Sequence, residues 1–496
     1  MKFLSWYPLP QRDPERFFWV HLVILHFLLL AVWEIGGREA FESAIATNPD
    51  ALDREFYGMI AKGMRVAVVS SLVLWTGLGG LLFVVRGRRQ PLPVGLYAAV
   101  ILALSAVLQL LAAVLFPAPL FADSVMYAEH AFRLLATGSY VSAEGAATAF
   151  WPVGYPVILA AGEWLTGDMV LSARLLNIVC NLLTAFLAWR LFHTELSEAG
   201  GLLLLAVMAL LPSVLFSAVP LMTESPALTL LMLALYFLIR GEERWHAGVV
   251  AGLCFAAASH LRPVTILITA AILLVLFIRA GNRRYLAIVA ATFLLALAPW
   301  TIRNTIHFNT VVPISTNGGF NFLLGNHADA SGGINSYFIY DYADTDEAAA
   351  SKDSYARGWA DIAAHPLRSF LRIPKKIMHA YKRGDASLIW TLKPGGGTNI
   401  SPWLLALLFV TANLAYYLVL ALSLLAVLLN RWRLSDRRAQ SVLGALMVSV
   451  LFSVMVYFGS ERYVIPLLPL HVFLCARFFF PPVQPDTGSD TAAVRS

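Results

Sequence analysis

ESPALTLLMLALYFLIRGEERWHAGVVAGLCFAAASHLRPVTILITAAILLVLFIRAGNRR, residues 224–284, decides the fold. Three apolar runs lie end to end, parted by short turns. Basic residues gather at alternate breaks, Arg240 and Arg244 at the first, then Arg279, Arg283 and Arg284. A helix that crosses a bilayer needs about 20 mostly apolar residues, and these runs lack the polar face that a soluble surface helix keeps toward water. Reading outward, similar runs occur at about 17–34, 65–85, 94–117, 171–192, 200–219, 224–240, 246–260, 263–279, 284–300, 402–430, 440–459 and 463–480.

The basic residues test this count of twelve. Lys2, Arg12 and Arg16 precede the first run, Arg86, Arg88 and Arg89 follow the second, and Arg431, Arg433, Arg437 and Arg438 join two later ones. With twelve spans every such cluster falls on one side, which the positive-inside rule makes the cytoplasm, with both termini in it. Residues 156–166 are apolar but short. Counted as a crossing they would turn every later cluster outward, so they read as re-entrant or interfacial. The first run follows a basic start without a small-x-small cleavage site and reads as a span.

Composition agrees. Of 496 residues, 59% are hydrophobic and 13% charged, against roughly 45–50% and about 25% in soluble domains. This excludes a soluble globular enzyme, a disordered chain and a nucleic-acid binder, and it makes the lipid bilayer the first partner. The net charge of +6 resides largely in the loops assigned to the cytoplasm. Cys180, Cys254 and Cys475 lie inside apolar runs without CxxC spacing and argue for neither a disulfide framework nor a metal site. The expected fold is all-α, a polytopic membrane bundle of about twelve spans with extracytoplasmic loop helices. Residues 1–93 form a two-span N-terminal piece and 94–300 a transmembrane core whose first outer loop is 118–170. An outer loop subdomain follows at 301–400, then three spans over 401–480 and a disordered tail at 481–496.

Ionisable residues at membrane depth are costly and mark function by default. By parity they gather on the outer face. Asp123 follows the third span and Glu224 opens the sixth. His260 and Arg262 lie between the seventh and eighth, Arg303 and Asn304 end the ninth, and Glu461, Arg462 and Tyr463 join the last two. Acids and arginines converging there fit an anionic substrate, since the planar guanidinium suits phosphate oxygens. Plainer readings stand beside this one. Asp123 serves equally as a helix cap, Glu224 as a first-turn acid favoured by the helix dipole, Arg303 and Arg462 as headgroup anchors, and His260 as a packed helix end. No His/Asp/Glu grouping has metal-ligand spacing. Lys375 and Lys376 read as solvated charges.

The ordered series FADSVMYAEHAFRLLATGSY, FWPVGYPVILAAGEWLTG, SARLLNIVCNLL, LMTESPALTLLMLALYFL, HLRPVTILI, PWTIRN, NGGFNFLLGNHADASGG and SERYVIPLLPL, over roughly 94–480, resembles the GT-C superfamily of membrane glycosyltransferases. The likeness is to the branch of protein O-mannosyltransferases and lipid A aminoarabinose transferases. The resemblance implies an inverting transfer of a sugar from a polyprenyl-phosphate donor to an acceptor (lipid, glycan or protein) outside the cytoplasm, in a bacterial inner membrane. It makes Asp123 the general base and Glu224 the acid that orients the acceptor or stabilises charge on the sugar. Arg262, Arg303 and Arg462 become phosphate ligands, with Asn304, Tyr463 and His260 as neighbours, and Tyr155 and Asn326 shape the pocket. Many relatives carry a second acid beside the first, where this chain has Ser124. That departure favours a metal-free site while leaving a divalent cation open. A lipid-linked sugar flippase is the rival reading, opposed by the lack of an inverted repeat. A ligase or polymerase using a diphosphate-linked donor is another.

Overall fold

The computed structural model describes residues 14–46, 51–86, 93–116, 119–241, 244–279, 282–334, 346–393 and 400–480. The expected tail at 481–496 and the first basic cluster's Lys2 and Arg12 lie outside them. Among the described residues every regular element is a helix, apart from one β-bridge between Val141 and Ala147. The chain begins with α1 (Pro14–Val32), α2 (Arg38–Ala46) and α3 (Ala51–Arg86). It continues through α4 (Val94–Leu115), α5 (Asp123–Thr137), α6 (Gly154–Thr166), α7 (Met169–Phe192), α8 (Glu198–Leu210) and α9 (Pro212–Phe216). Then come α10 (Glu224–Arg240), α11 (Trp245–Leu261), α12 (Thr265–Ile278) and α13 (Arg283–Phe308). The loop region carries α14 (Gly318–Asn326), α15 (Glu347–Ala364), α16 (Pro366–Tyr381) and α17 (Ala386–Leu392). It leads to α18 (Pro402–Leu428), α19 (Arg437–Val456), α20 (Glu461–Val464) and α21 (Leu468–Phe479).

Seven helices are long and apolar enough to cross a membrane: most of α3, then α4, α7, α13, α18, α19 and the α20–α21 segment. The chain is a multi-pass membrane protein. Other expected spans are shorter helices. The run at 200–219 breaks at Leu211, because Pro212 cannot donate to the helix ladder and disfavours helical geometry in the residue before it, leaving α8 with 13 residues. At 14 residues, α12 extends only about 21 Å, less than a hydrocarbon core of roughly 30 Å. The apolar stretch at 156–166 is a helix of 13 residues that packs on α5 and α7.

Apolar area buried between helices holds the bundle together. One large core joins α7, α8, α10, α11, α13, α18, α19 and α21. A second joins α3 to α17 and α18 through Phe56, Ile60, Leu388, Leu392 and Leu405. Gly63 allows that approach, since a Cβ there would lie 2.2 Å from the Pro402 carbonyl oxygen. Small residues let membrane helices pack backbone to backbone in this way. The third core seats α5 and α6 against the ends of α10 and α11.

Helix α16 reverses the expected arrangement. Leu367, Phe370, Leu371 and Met378 are exposed on one face, while Arg372 and Lys376 are buried. The reading of Lys376 as a solvated charge is therefore corrected. Its Nζ donates to Asn326 Oδ1 and to the Met455 carbonyl, both at 2.9 Å. Burial holds its amine down at about 7.

Candidate active site

Distant segments deliver the charges of the site. Asp123 begins α5 after a tight turn in which Ser124 N–H donates to the Phe121 carbonyl at 3.2 Å. Ala122 takes φ 49° and ψ −127° in that turn, a left-handed conformation that favours glycine. Glu224 opens α10, with Pro226 in the first turn, where its missing N–H costs nothing. Both carboxylates thus sit at the positive end of a helix dipole. Arg262 follows the last residue of α11 in extended backbone, and Pro263 blocks further helix. Arg462 lies in the single turn of α20, capped by Ser460 and ended by Pro466.

Arg462 bridges the acids. Its Nη1 lies 2.5 Å from Asp123 Oδ2, and its Nε donates to Glu224 Oε1. Arg262 Nη1 donates to the same Glu224 oxygen at 2.7 Å, and its Nη2 to the Arg462 carbonyl at 3.3 Å. Two acids and two arginines make a quartet of zero net charge, with side chains only 13–23% exposed. Pairing at that depth matters, because a buried charge without a partner is very costly. Glu224 Oε2 is buried and has no hydrogen-bond partner. The capping reading of Asp123 does not hold, since no helix N–H bonds a side-chain cap at the start of α5.

Aromatic rings surround the quartet. The Arg462 guanidinium lies 5.9 Å from the Trp390 ring centre, and Trp390 packs on Phe121 at 4.5 Å. Tyr127, one turn after Asp123, is almost fully buried. Burial first, and then the charge of Asp123, push its hydroxyl up to about 12, so it stays neutral.

Cavities flank this centre. An open one of about 450 Å³ is lined by Asp123, Tyr127, Trp151, Arg262, Arg462 and Tyr463. Tyr463 lies parallel to Tyr457 there, with ring centres 6.3 Å apart. Behind Arg462 lies a cavity of about 140 Å³, which Glu224 also lines. A groove of about 980 Å³ runs between α6, α11 and α13. It holds Arg303, His260 and His307, and no acid lines it. Leu261 lines both the groove and the open cavity.

The remaining expected residues are not in the quartet. Arg303 donates to the Thr148 carbonyl at 2.8 Å and the Tyr140 carbonyl at 2.7 Å, and its guanidinium lies 4.8 Å from the Trp300 ring centre. Asn304 is fully buried and bonds the Val312 and Ile314 carbonyls. Tyr155 is fully buried and packs edge-on against Tyr127. Asn326 holds Lys376 and donates to the Val456 carbonyl. Tyr127, Trp390 and Arg383 were not singled out in the sequence. Only Tyr127 carried a signal, its position four residues after Asp123 on one helix face.

No group of three or more His, Cys, Asp or Glu among the described residues is placed to hold a metal ion. Arginines already occupy one oxygen of each site carboxylate. This donor set does not fit a divalent ion.

The family model for dolichyl-phosphate-mannose-protein mannosyltransferase matches residues 151–302. A comparison with curated proteins returns no match. Among solved structures, the chain is similar to the archaeal oligosaccharyltransferase AglB of Archaeoglobus fulgidus in complex with an inhibitory peptide and a dolichol-phosphate. Identity is 12%, the TM-score 0.45, and coverage 77% of this chain and 50% of that one, so this chain spans about half the length of AglB. ArnT of Cupriavidus metallidurans bound to undecaprenyl phosphate is similar at 15% identity and TM-score 0.36, with 77% of each chain covered. At such identities and scores neither likeness bears on the site. The family match takes in Glu224, His260 and Arg262, and it agrees with the resemblance that the ordered motifs carry.

Proposed function

We propose that the protein is an inverting glycosyltransferase that moves a sugar from a polyprenyl phosphate to an acceptor hydroxyl on the Asp123 face, outside the cytoplasm. The observation that supports this most is the convergence of Asp123 and Glu224 on Arg462 beside an aromatic-lined cavity. The acceptor oxygen attacks the anomeric carbon as the bond from that carbon to the phosphate oxygen breaks. The acceptor proton passes to the Asp123 carboxylate, and polyprenyl phosphate leaves with the bonding pair. Arg462 holds Asp123 in place, and Glu224 fixes Arg462.

Developing charge on the leaving phosphate needs fixed donors. Asp123 and Glu224 already pair with Arg262 and Arg462, whereas the hydrogen bonds of Arg303 go to uncharged oxygens, with Glu347 as a nearby charge and no acid among the described residues that line the groove. The phosphate therefore lies on Arg303, with the lipid along the groove and the sugar reaching past Leu261 toward Asp123. His260 lines the same groove.

To test this, purified wild type and Glu224→Gln are given labelled polyprenyl-phosphate sugars with candidate acceptors, and release of polyprenyl phosphate is followed. Release by wild type that falls at least tenfold in the variant supports the reading. Transport of intact lipid across vesicles without release would establish the flippase instead. Release only from diphosphate lipids would establish a ligase or polymerase.

A further inference from the structure

The cavity behind Arg462 has a second wall, contributed by the loop between α16 and α17. Arg383 lies there, facing the same space as Glu224, Glu461, Tyr381, Tyr416 and Trp390. Its Nε donates to Asp385 at 2.7 Å and its Nη2 to the Tyr57 hydroxyl at 3.0 Å. Asp385 is 1% exposed and also accepts from Asn413 Nδ2 at 3.0 Å. Asn413 Oδ1 in turn accepts from Gly384 N–H at 3.0 Å. A Cβ on Gly384 would meet Tyr416 at 2.2 Å, so this loop is pressed onto α18. The guanidinium is thus held by Tyr57 of α3 and by Asp385, which Asn413 of α18 fixes in turn.

The lining combines a guanidinium whose charge Asp385 offsets, carboxylates at Glu224 and Glu461, tyrosine hydroxyls and an indole face. Glu224 lines this cavity, and its Oε2 is buried without a hydrogen-bond partner among the described residues. Fixed donors and acceptors with an excess of carboxylate, set between aromatic rings and aliphatic side chains such as Met222, Leu228 and Leu468, suit a neutral ring bearing several hydroxyls better than a phosphate. We propose that this cavity binds such a sugar ring, with Glu224 Oε2 accepting from one hydroxyl and Arg383 donating to another. Tyr57 acts as a positioning residue that holds Arg383. The inference rests on the glycosyltransferase reading and adds a subsite to it. The ring belongs either to the transferred unit or to the acceptor.

The full chain in nanodiscs is tested by direct binding with three probes. These are bare polyprenyl phosphate, polyprenyl-phosphate mannose, and the octyl glycosides of mannose, glucose and galactose at concentrations below micelle formation. Losing a hydrogen bond to a charged group costs about tenfold in affinity. Arg383→Gln is therefore expected to weaken a sugar-bearing probe about tenfold while leaving bare polyprenyl phosphate unchanged. Tyr57→Phe, which removes a single oxygen, should weaken the same probe several-fold, and it serves if Arg383→Gln fails to fold. A loss confined to polyprenyl-phosphate mannose assigns the ring to the donor, and one confined to an octyl glycoside assigns it to the acceptor. Equal weakening of all probes, unchanged binding of all, or wild type that neither binds an octyl glycoside nor prefers polyprenyl-phosphate mannose to the bare lipid would overturn the proposal. If bare polyprenyl phosphate fails to bind wild type, the groove assignment falls, while the octyl glycosides still decide the subsite.

Discussion

Asp123→Asn separates chemistry from architecture. The amide keeps the size of the carboxylate and can still accept from Arg462, which stands 2.5 Å away. Glu224 continues to pair with both arginines, so the fold survives. What disappears is the proton acceptor. A positioned general base contributes about 10²–10⁴-fold, equivalent to about 2.7–5.4 kcal/mol of activation free energy. The change also leaves two arginines facing one carboxylate, so the centre gains a positive charge. That charge lies near the anionic donor, and donor KM should stay level or fall. The assay is release of polyprenyl phosphate under saturating acceptor, with kcat and donor KM measured separately and the melting temperature as control. A kcat within threefold of wild type, or a raised KM at unchanged kcat, would refute the assignment of Asp123 as base.

Four further outcomes are expected. Arg303→Gln should weaken bare polyprenyl phosphate about tenfold or more, read by direct binding, because it removes the charged donor that the groove offers to phosphate. Ala122→Gly should raise the melting temperature and Ala122→Val lower it, each by about 1 kcal/mol of stability, since only glycine takes a φ of 49° without strain. A chelator should leave the transfer rate unchanged, because arginines hold the site carboxylates. Lys376 predicts a pH dependence. Its amine titrates at about 7 in the folded chain against its ordinary value of 10.5. Below about 7 it is charged in both states and the cost of burial is fully present. Between about 7 and 10.5 the unfolded chain holds more protons, so stability rises with pH, by at most about 1.4 kcal/mol per unit. Melting curves of Lys376→Met across that range should lack this rise.

Much of this architecture is legible in the sequence. Long apolar runs have no other stable fate, so α4, α7, α13, α18 and α19 follow from hydropathy. The shortness of 156–166 set it apart from the spans, and the structure gives it 13 helical residues. Loop parity placed Asp123, Glu224, Arg262 and Arg462 on one face. Parity fixes depth along the membrane normal and not position around the bundle, which is why Arg303 and His260 were grouped with Arg462 although they line a separate groove. The break at Leu211 had a local signal in Pro212, overlooked within a uniformly apolar run. The burial of Lys376 has no local signal, because its partners, Asn326 and the Met455 carbonyl, come from distant parts of the chain. Nothing near Arg383 in the sequence reveals Tyr57, which lies 326 residues away.

The zero sum of the quartet constrains how this centre can change over generations. Losing one arginine or one acid leaves the centre with a net charge and an altered site, so either single step costs activity before any benefit accrues. Descendants should alter these positions two at a time, one of each sign, or not at all. Asp123, Glu224, Arg262 and Arg462 are in effect inherited as one character, although they are scattered over more than three hundred positions of the chain.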